Sequence, residues 1–238
     1  MSNKKRGGKQ IMNMKRLIAT VVGLSMSVFP VSANEVFFEP ERQSIEEYFH
    51  QSTKGFLDTA GHWAEEQIYE AVDLKYVSGT SQTTFSPDIP MTRAMLVTML
   101  YRMAGEPEVS GKSSFTDVPA GCWYENAVIW SVDKSISYTQ EQTVFDAEGS
   151  ATREQIVTML YRYARTMGYD VSQFSDTSRF SDSTDISPSS LPAVSWAVAN
   201  GLVSGKEHNR FEPKASATRA EVVAIIMRFL HLNDEGEA

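Results

Sequence analysis

One pattern occurs three times along this 238-residue chain, and it limits the fold more than any other feature. The first occurrence runs from Phe56-Leu57-Asp58 to Thr92-Arg93-Ala94. The second runs from Phe115-Thr116-Asp117 to Thr152-Arg153-Glu154, and the third from Phe180-Ser181-Asp182 to Thr218-Arg219-Ala220. Ala64–Arg93 and Tyr124–Arg153 align without a gap at an offset of 60, and the second half of the third copy aligns with the first at an offset of 126. Phe85, Phe145 and Phe211 then coincide, as do Val72, Val132 and Val198. Each copy is a short supersecondary unit that cannot cover its own apolar faces, so the copies must share a core.

Both halves of each copy read as helix. Leu96, Met99, Leu100 and Met103 recur at the spacing of one helical face. Ile156, Met159, Leu160 and Tyr163 repeat it, as do Val222, Ile225, Ile226 and Phe229. The first helix of each copy predicts burial of Ile68, Ala71, Val72 and Tyr76, and of the residues aligned with them. Thr218 with Glu221 and Thr152 with Gln155 form capping boxes, and Thr92 is a lone N-cap. Strand signals are weak. The expected class is all-α: three helix–loop–helix repeats, 56–107, 115–165 and 180–231, sharing one core in a pseudo-threefold arrangement, with an open solenoid as the alternative.

Residues 1–33 hold six basic residues and no acid, then an apolar run from Leu17 to Phe29, then Val31-Ser32-Ala33. This is the pattern of a signal peptide, cut after Ala33, and it is short and interrupted for a lasting membrane span. Removing it leaves 16 basic residues against 30 acidic, a net charge of −14 over 205 residues. An acidic exported surface argues against a nucleic-acid partner. Residues 34–55 form a polar lead-in, with a short helix opening at Ser44 as one option.

Cys122 is the only cysteine, which excludes an internal disulfide and reads as a small buried hydrophobe. His50, His62, His208 and His231 show no ligand spacing, so no metal or cofactor is expected. No nucleophile turn, phosphate loop or paired-carboxylate arrangement stands out, and the chain does not read as an enzyme.

Several residues lie outside what packing needs. Arg93, Arg153 and Arg219 open the second helix of each copy, where the helix dipole disfavours a cation. Two readings remain open: an anion site made of arginine and free backbone N–H groups, or a salt bridge to Asp58, Asp117 or Asp182. Trp63 and Trp123 open the first helix of copies one and two, either as core or as a platform for a sugar ring. The third copy has Ser187-Pro188-Ser189 there. Trp130 and Trp196 align with each other in mid-helix and read as core. Gly79 and Gly205 align in the interhelix loop, permitting positive φ or close approach to a ligand, while copy two has Thr139.

Phe56-Leu57-Asp58, Gly61-His62-Trp63-Ala64, Gly79, Thr84-Phe85-Ser86-Pro87 and Thr92-Arg93-Ala94 together resemble the S-layer homology domain. Phe211-Glu212-Pro213 with Thr218-Arg219-Ala220-Glu221 resembles its second half. The resemblance implies a three-repeat helical module that holds surface proteins non-covalently on a bacterial envelope. Its implied partner is an anionic, pyruvylated secondary cell-wall polysaccharide, bound in grooves between repeats. It carries ligand roles onto Arg93, Arg153 and Arg219, onto Asp58, Asp117 and Asp182, and onto Gly79 and Gly205, with Trp63 and Trp123 holding the ring. Location in the cell wall or S-layer follows. The rival expectation is an adaptor that binds another surface protein, with residues 34–55 as the docking segment.

Overall fold

Three equivalent residues close a ring of backbone hydrogen bonds at the centre of the molecule. Met91 N–H donates to the Ala217 carbonyl (2.9 Å), Ala217 N–H to Ala151 (3.4 Å), and Ala151 N–H to Met91 (2.8 Å). The computed structural model describes residues 55–137 and 143–234. The proposed signal peptide, residues 34–54 of the lead-in and Thr139 lie outside them.

Among the described residues six α-helices follow in pairs: α1 Glu65–Asp73, α2 Arg93–Met103, α3 Glu125–Asp133, α4 Arg153–Met167, α5 Leu191–Ala199 and α6 Arg219–Asp234. Among the described residues there is no strand, only three isolated bridges, Pro90 with Thr218, Thr92 with Ser150 and Thr152 with Ser216. The second helix of each pair packs on the first helix of the next: α2 on α3, α4 on α5, and α6 back on α1. The helix contacts therefore run round a closed circuit, as the Met91–Ala217–Ala151 ring does.

The first helix of each pair stops at a residue in the left-handed region: Lys75 (φ 63°), Ser135 (φ 56°) and Gly201 (φ 67°). The next residue then donates back five positions, Tyr76 to Ala71 (2.9 Å), Ile136 to Ser131 (2.7 Å) and Leu202 to Ala197 (2.9 Å). This is the Schellman stop. It corrects the expected face, because Tyr76, Ile136 and Leu202 lie past the helix and turn inward from the loop.

The second helices are buried more completely than one face. In α2, Val97 and Tyr101 are buried along with Leu96, Met99 and Leu100. The helix meets both α3 and α4 and so has little solvent side. Tyr101 packs on Trp130 and Tyr161 on Trp196, each pair 5.5 Å between ring centroids, which ties successive pairs together. Trp130 and Trp196 are core, each 2% exposed. Cys122 is only half-buried against that core. The helix starts form as expected. Thr152–Gln155 and Thr218–Glu221 make reciprocal capping boxes, and Thr92 caps Met95 N–H at 3.2 Å.

Candidate functional site: three grooves between helix pairs

The motif Phe-x-Asp shapes the loop that precedes each second helix. Phe56 packs on Phe85, Phe115 on Phe145 and Phe180 on Phe211, at 5.7, 5.4 and 5.6 Å. The aspartate two residues on accepts backbone N–H groups of the same loop. Asp58 takes Phe85 (2.8 Å) and Ser86 (2.7 Å), Asp117 takes Phe145 (2.8 Å) and Ala147 (3.2 Å), and Asp182 takes Phe211 and Glu212 (both 2.8 Å). Burial alone would raise these carboxyl pKa values, but the backbone donors outweigh it and hold all three below the ordinary value. Asp182 also faces Arg210 at 3.6 Å.

The arginines come to the same loops from a different helix pair. Nε of Arg219 donates to the Phe85 carbonyl (3.0 Å), Nε of Arg93 to Phe145 (3.0 Å) and Nε of Arg153 to Phe211 (2.8 Å). Each guanidinium also lies over the ring whose carbonyl it binds, at 4.3, 5.0 and 5.3 Å from the centroid. Arg219 further donates to Ser78 O (2.8 Å) and reaches Met95 Sδ (3.3 Å), and Arg153 donates to Ser204 O (3.4 Å). All three arginines are buried, and burial lowers the pKa of Arg153 and Arg219, though arginine stays charged. Arginine and aspartate therefore meet through a shared phenylalanine residue: aspartate holds its N–H and arginine its carbonyl.

The helix starts do not hold free donors. The first two N–H groups of α2 donate to Gly149 and Ala147, both at 2.9 Å. Those of α4 donate to Ala215 and Pro213, and those of α6 to Ile89 and Pro87. The third in each goes to the capping threonine. The expected anion site of open N–H groups is therefore corrected, because the neighbouring pair's loop carbonyls already occupy them.

Above each arginine lies a groove, and all three follow one assembly rule. Groove one, about 390 Å³, is lined by loop 76–80 and helix α2 of the first pair, by Arg219 of the third, and by Trp123 of the second. Groove three, about 200 Å³, is lined by loop 202–206 and α6 of the third pair, Arg153 of the second and Trp63 of the first. Groove two, about 320 Å³, has α4 of the second pair, Arg93 of the first and Ser187, Ser189 and Ser190 of the third. Each groove thus takes its second helix from one pair, its arginine from the pair before and its tryptophan position from the pair after.

Trp63 and Trp123 are 61% and 60% exposed, so they are not core. Gly79 and Gly205 line grooves one and three, but φ is not positive at either. At Gly79 a Cβ would meet the Phe56 ring at 2.3 Å and the Ser81 and Thr84 carbonyls at 2.6 Å, so the glycine serves close approach inside its own loop. At Gly205 the nearest contact would be Phe180 at 3.3 Å.

A second aligned arginine escaped the sequence reading. Arg102, Arg162 and Arg228 sit at the same offsets of 60 and 126, and each lines its groove. Arg162 donates to Ser137 O (2.9 Å) and Arg228 to Leu202 O (3.1 Å). Arg102 instead makes a long ion pair, 3.6 Å, to the exposed Glu106. The equal spacing alone could have found this series.

No group of three or more metal-ligating side chains occurs among the described residues. Exposed aromatic rings beside buried cations in shallow grooves define a non-covalent binding module built from linked helix pairs. Residues 55–94 and 179–223 match the model of the S-layer homology domain, and the chain carries that domain. It is 31% identical over 178 residues to an amylopullulanase of Thermoanaerobacterium thermosulfurigenes, covering 74% of this chain and 10% of that protein. It is 27% identical over 169 residues to the surface-layer 125 kDa protein of Lysinibacillus sphaericus, covering 70% of this chain and 14% of that one. A cellulosome-anchoring protein of Acetivibrio thermocellus is 27% identical over 159 residues, 65% of this chain and 35% of its own length. The chain thus spans between a tenth and about a third of these relatives' lengths.

Proposed function

We propose that this protein anchors non-covalently to a bacterial cell envelope by binding an anionic secondary cell-wall polysaccharide, one carrying pyruvyl ketals, in its inter-pair grooves. The coarser part, attachment at the cell surface or S-layer, is supported by the S-layer homology matches and by the surface-layer and anchoring relatives. No helix among the described residues is long and apolar enough to cross a membrane, so attachment through the grooves is the route we favour. The role is binding, not catalysis.

The observation that carries the ligand class is the pairing, in grooves one and three, of an exposed tryptophan with two arginines. An indole face suits the C–H face of a sugar ring, and a guanidinium suits a carboxylate. In groove one the floor is Met91, Met95 and Met99, an adaptable apolar surface. Arg102, which also lines this groove, has a side chain 30% exposed that pairs at 3.6 Å with Glu106. Arg219 beneath it is committed to Phe85, Ser78 and Met95. Arg102 is therefore our choice for the residue that meets the ligand's anion, with Arg219 shaping the groove floor. Each groove would bind modestly, and two grooves on one polymer would add avidity.

The test is co-sedimentation of the purified mature protein with cell walls, before and after chemical removal of the secondary polymer. Binding should disappear with the polymer and fall sharply in a Trp63→Ala/Trp123→Ala variant. Equal pelleting with both wall preparations would sink the polysaccharide reading.

A further inference from the structure

Two departures from the repeated pattern lie in different copies of the sequence, and the structure brings the missing tryptophan of one to the groove lined by the second helix of the other. A groove draws its tryptophan position from the following pair, so the missing tryptophan of the third pair falls in groove two. Ser189 lines the groove there. The pair whose loop has Thr139 at the glycine position in sequence is the pair whose second helix lines groove two. Grooves one and three keep both features, Gly79 with Trp123 and Gly205 with Trp63.

Groove two also carries a carboxylate where the other second helices have alanine, whereas the carboxylate lining groove three is Glu221, paired with Lys206 at 2.8 Å. Glu154 stands at the second residue of α4, where α2 has Ala94 and α6 has Ala220. It is only 6% exposed. One oxygen accepts Ser187 N–H (2.9 Å), and the other accepts the Ser187 hydroxyl (2.9 Å) and the Lys214 ammonium. Lys214 donates to Ser187 Oγ as well (2.6 Å). Burial would raise the Glu154 pKa, but Lys214 and Ser187 outweigh it and hold the group below its ordinary value, hence ionised at neutral pH.

We propose, building on the polysaccharide reading, that groove two has given up the anionic ligand, that Glu154, Ser187 and Lys214 have turned it into a staple joining the second and third helix pairs, and that the chain holds two polymer sites, grooves one and three. Both grooves two and three hold a paired carboxylate, but groove three keeps Trp63 beside its own, whereas in groove two Glu154 binds Ser187 of the stretch that replaces the tryptophan. No indole lines groove two to hold a sugar ring. What the groove keeps is connectivity: α4 is tied to Ser187 and Lys214 by a buried charge with every oxygen occupied. The two remaining sites flank the first pair, since it supplies Trp63 to groove three and loop 76–80 to groove one.

The deciding experiment is calorimetric titration of the mature protein with a methyl glycoside bearing a 4,6-O-pyruvyl ketal. Two equivalents should bind. Trp63→Ala and Trp123→Ala should each leave one, and the double variant none, with melting temperatures close to wild type. Glu154→Gln and Lys214→Met should keep two equivalents while lowering the melting temperature. One or three equivalents would overturn the two-site assignment and leave the polysaccharide reading standing. No binding by the wild type would overturn both.

Discussion

Asp58 and Arg219 hold the two backbone polar groups of one residue, Phe85. Asp58 accepts the Phe85 N–H at 2.8 Å, and Arg219, from the far end of the chain, donates to the Phe85 carbonyl at 3.0 Å. Asp58 also accepts the Ser86 N–H (2.7 Å), which shares its peptide group with the Phe85 carbonyl, so these two hydrogen bonds polarise one another, and the guanidinium lies 4.3 Å from the Phe85 ring centroid. The relationship recurs as Asp117–Phe145–Arg93 and Asp182–Phe211–Arg153. In every case the arginine comes from a different helix pair, so these contacts join the pairs.

Arg219→Ala should therefore destabilise the fold first and affect binding second. Removing one partner from a buried, charge-assisted set typically costs about 3 kcal/mol. Arg219→Lys should recover little, because an ammonium cannot reproduce the fork that reaches Phe85, Ser78 and Met95 together. Urea unfolding monitored by far-ultraviolet circular dichroism measures this. Wild-type stability in the alanine variant would show the clamp to be dispensable.

The same contacts set the acid response. Asp58, Asp117 and Asp182 all have folded pKa values below the ordinary 3.8, and Glu154 and Glu221 lie below 4.5. A depressed carboxyl contributes stability that is complete above its unfolded pKa and is lost as pH falls through its folded one. The melting temperature should hold steady down to about pH 5 and fall progressively below it. A flat profile from pH 6 to pH 3 would mean that the loop carboxylates do not carry this weight.

The two aligned loop glycines should respond unequally to alanine. At Gly79 the new Cβ would lie 2.3 Å from the Phe56 ring and 2.6 Å from two backbone carbonyls, and backbone gives way poorly. At Gly205 the nearest atom is 3.3 Å away on the Phe180 ring, where a small shift suffices. Gly79→Ala should cost roughly 2–3 kcal/mol and Gly205→Ala under about 1 kcal/mol, in keeping with overpacking costs elsewhere. Equal losses in paired denaturation curves would contradict the contact geometry.

Much of the helix layout was legible in the sequence because local physics sets it. Thr92, Thr152 and Thr218 announce their helix starts by capping chemistry, and the Leu96-Met99-Leu100 spacing announces a buried face. The make-up of a groove was not legible. Trp123 belongs with Gly79 and Arg219 only because α6 packs back on α1, and no local pattern encodes that closure. Copy by copy, the first appears complete and the others each deficient. Once the ring is closed, the missing tryptophan falls in groove two, beside the second helix of the copy that lacks the glycine. The Arg102 series was missed for another reason: one arginine late in an amphipathic helix reads as solvated surface unless all three copies are compared.

Groove one offers the sharpest separation of binding from folding. Trp123 is 60% exposed, and Arg102 is 30% exposed with a 3.6 Å pair to a residue that is itself 60% exposed. Exposed ion pairs of this kind contribute between about 0 and 1 kcal/mol, so Arg102→Ala should leave the melting temperature nearly unchanged. If Arg102 receives the ligand's carboxylate, losing that charged hydrogen bond should weaken binding at groove one by about tenfold or more. Arg102→Lys should restore only part of the affinity, since it keeps the charge and loses the bidentate fork. The measurement is titration with the pyruvylated glycoside in a Trp63→Ala background, where groove three is silenced. Raising the salt concentration should weaken the Arg102 protein more than the alanine variant, because only the former retains the charge contact. Matching affinities and salt slopes for the two would remove Arg102 from the site and return the anion to Arg219.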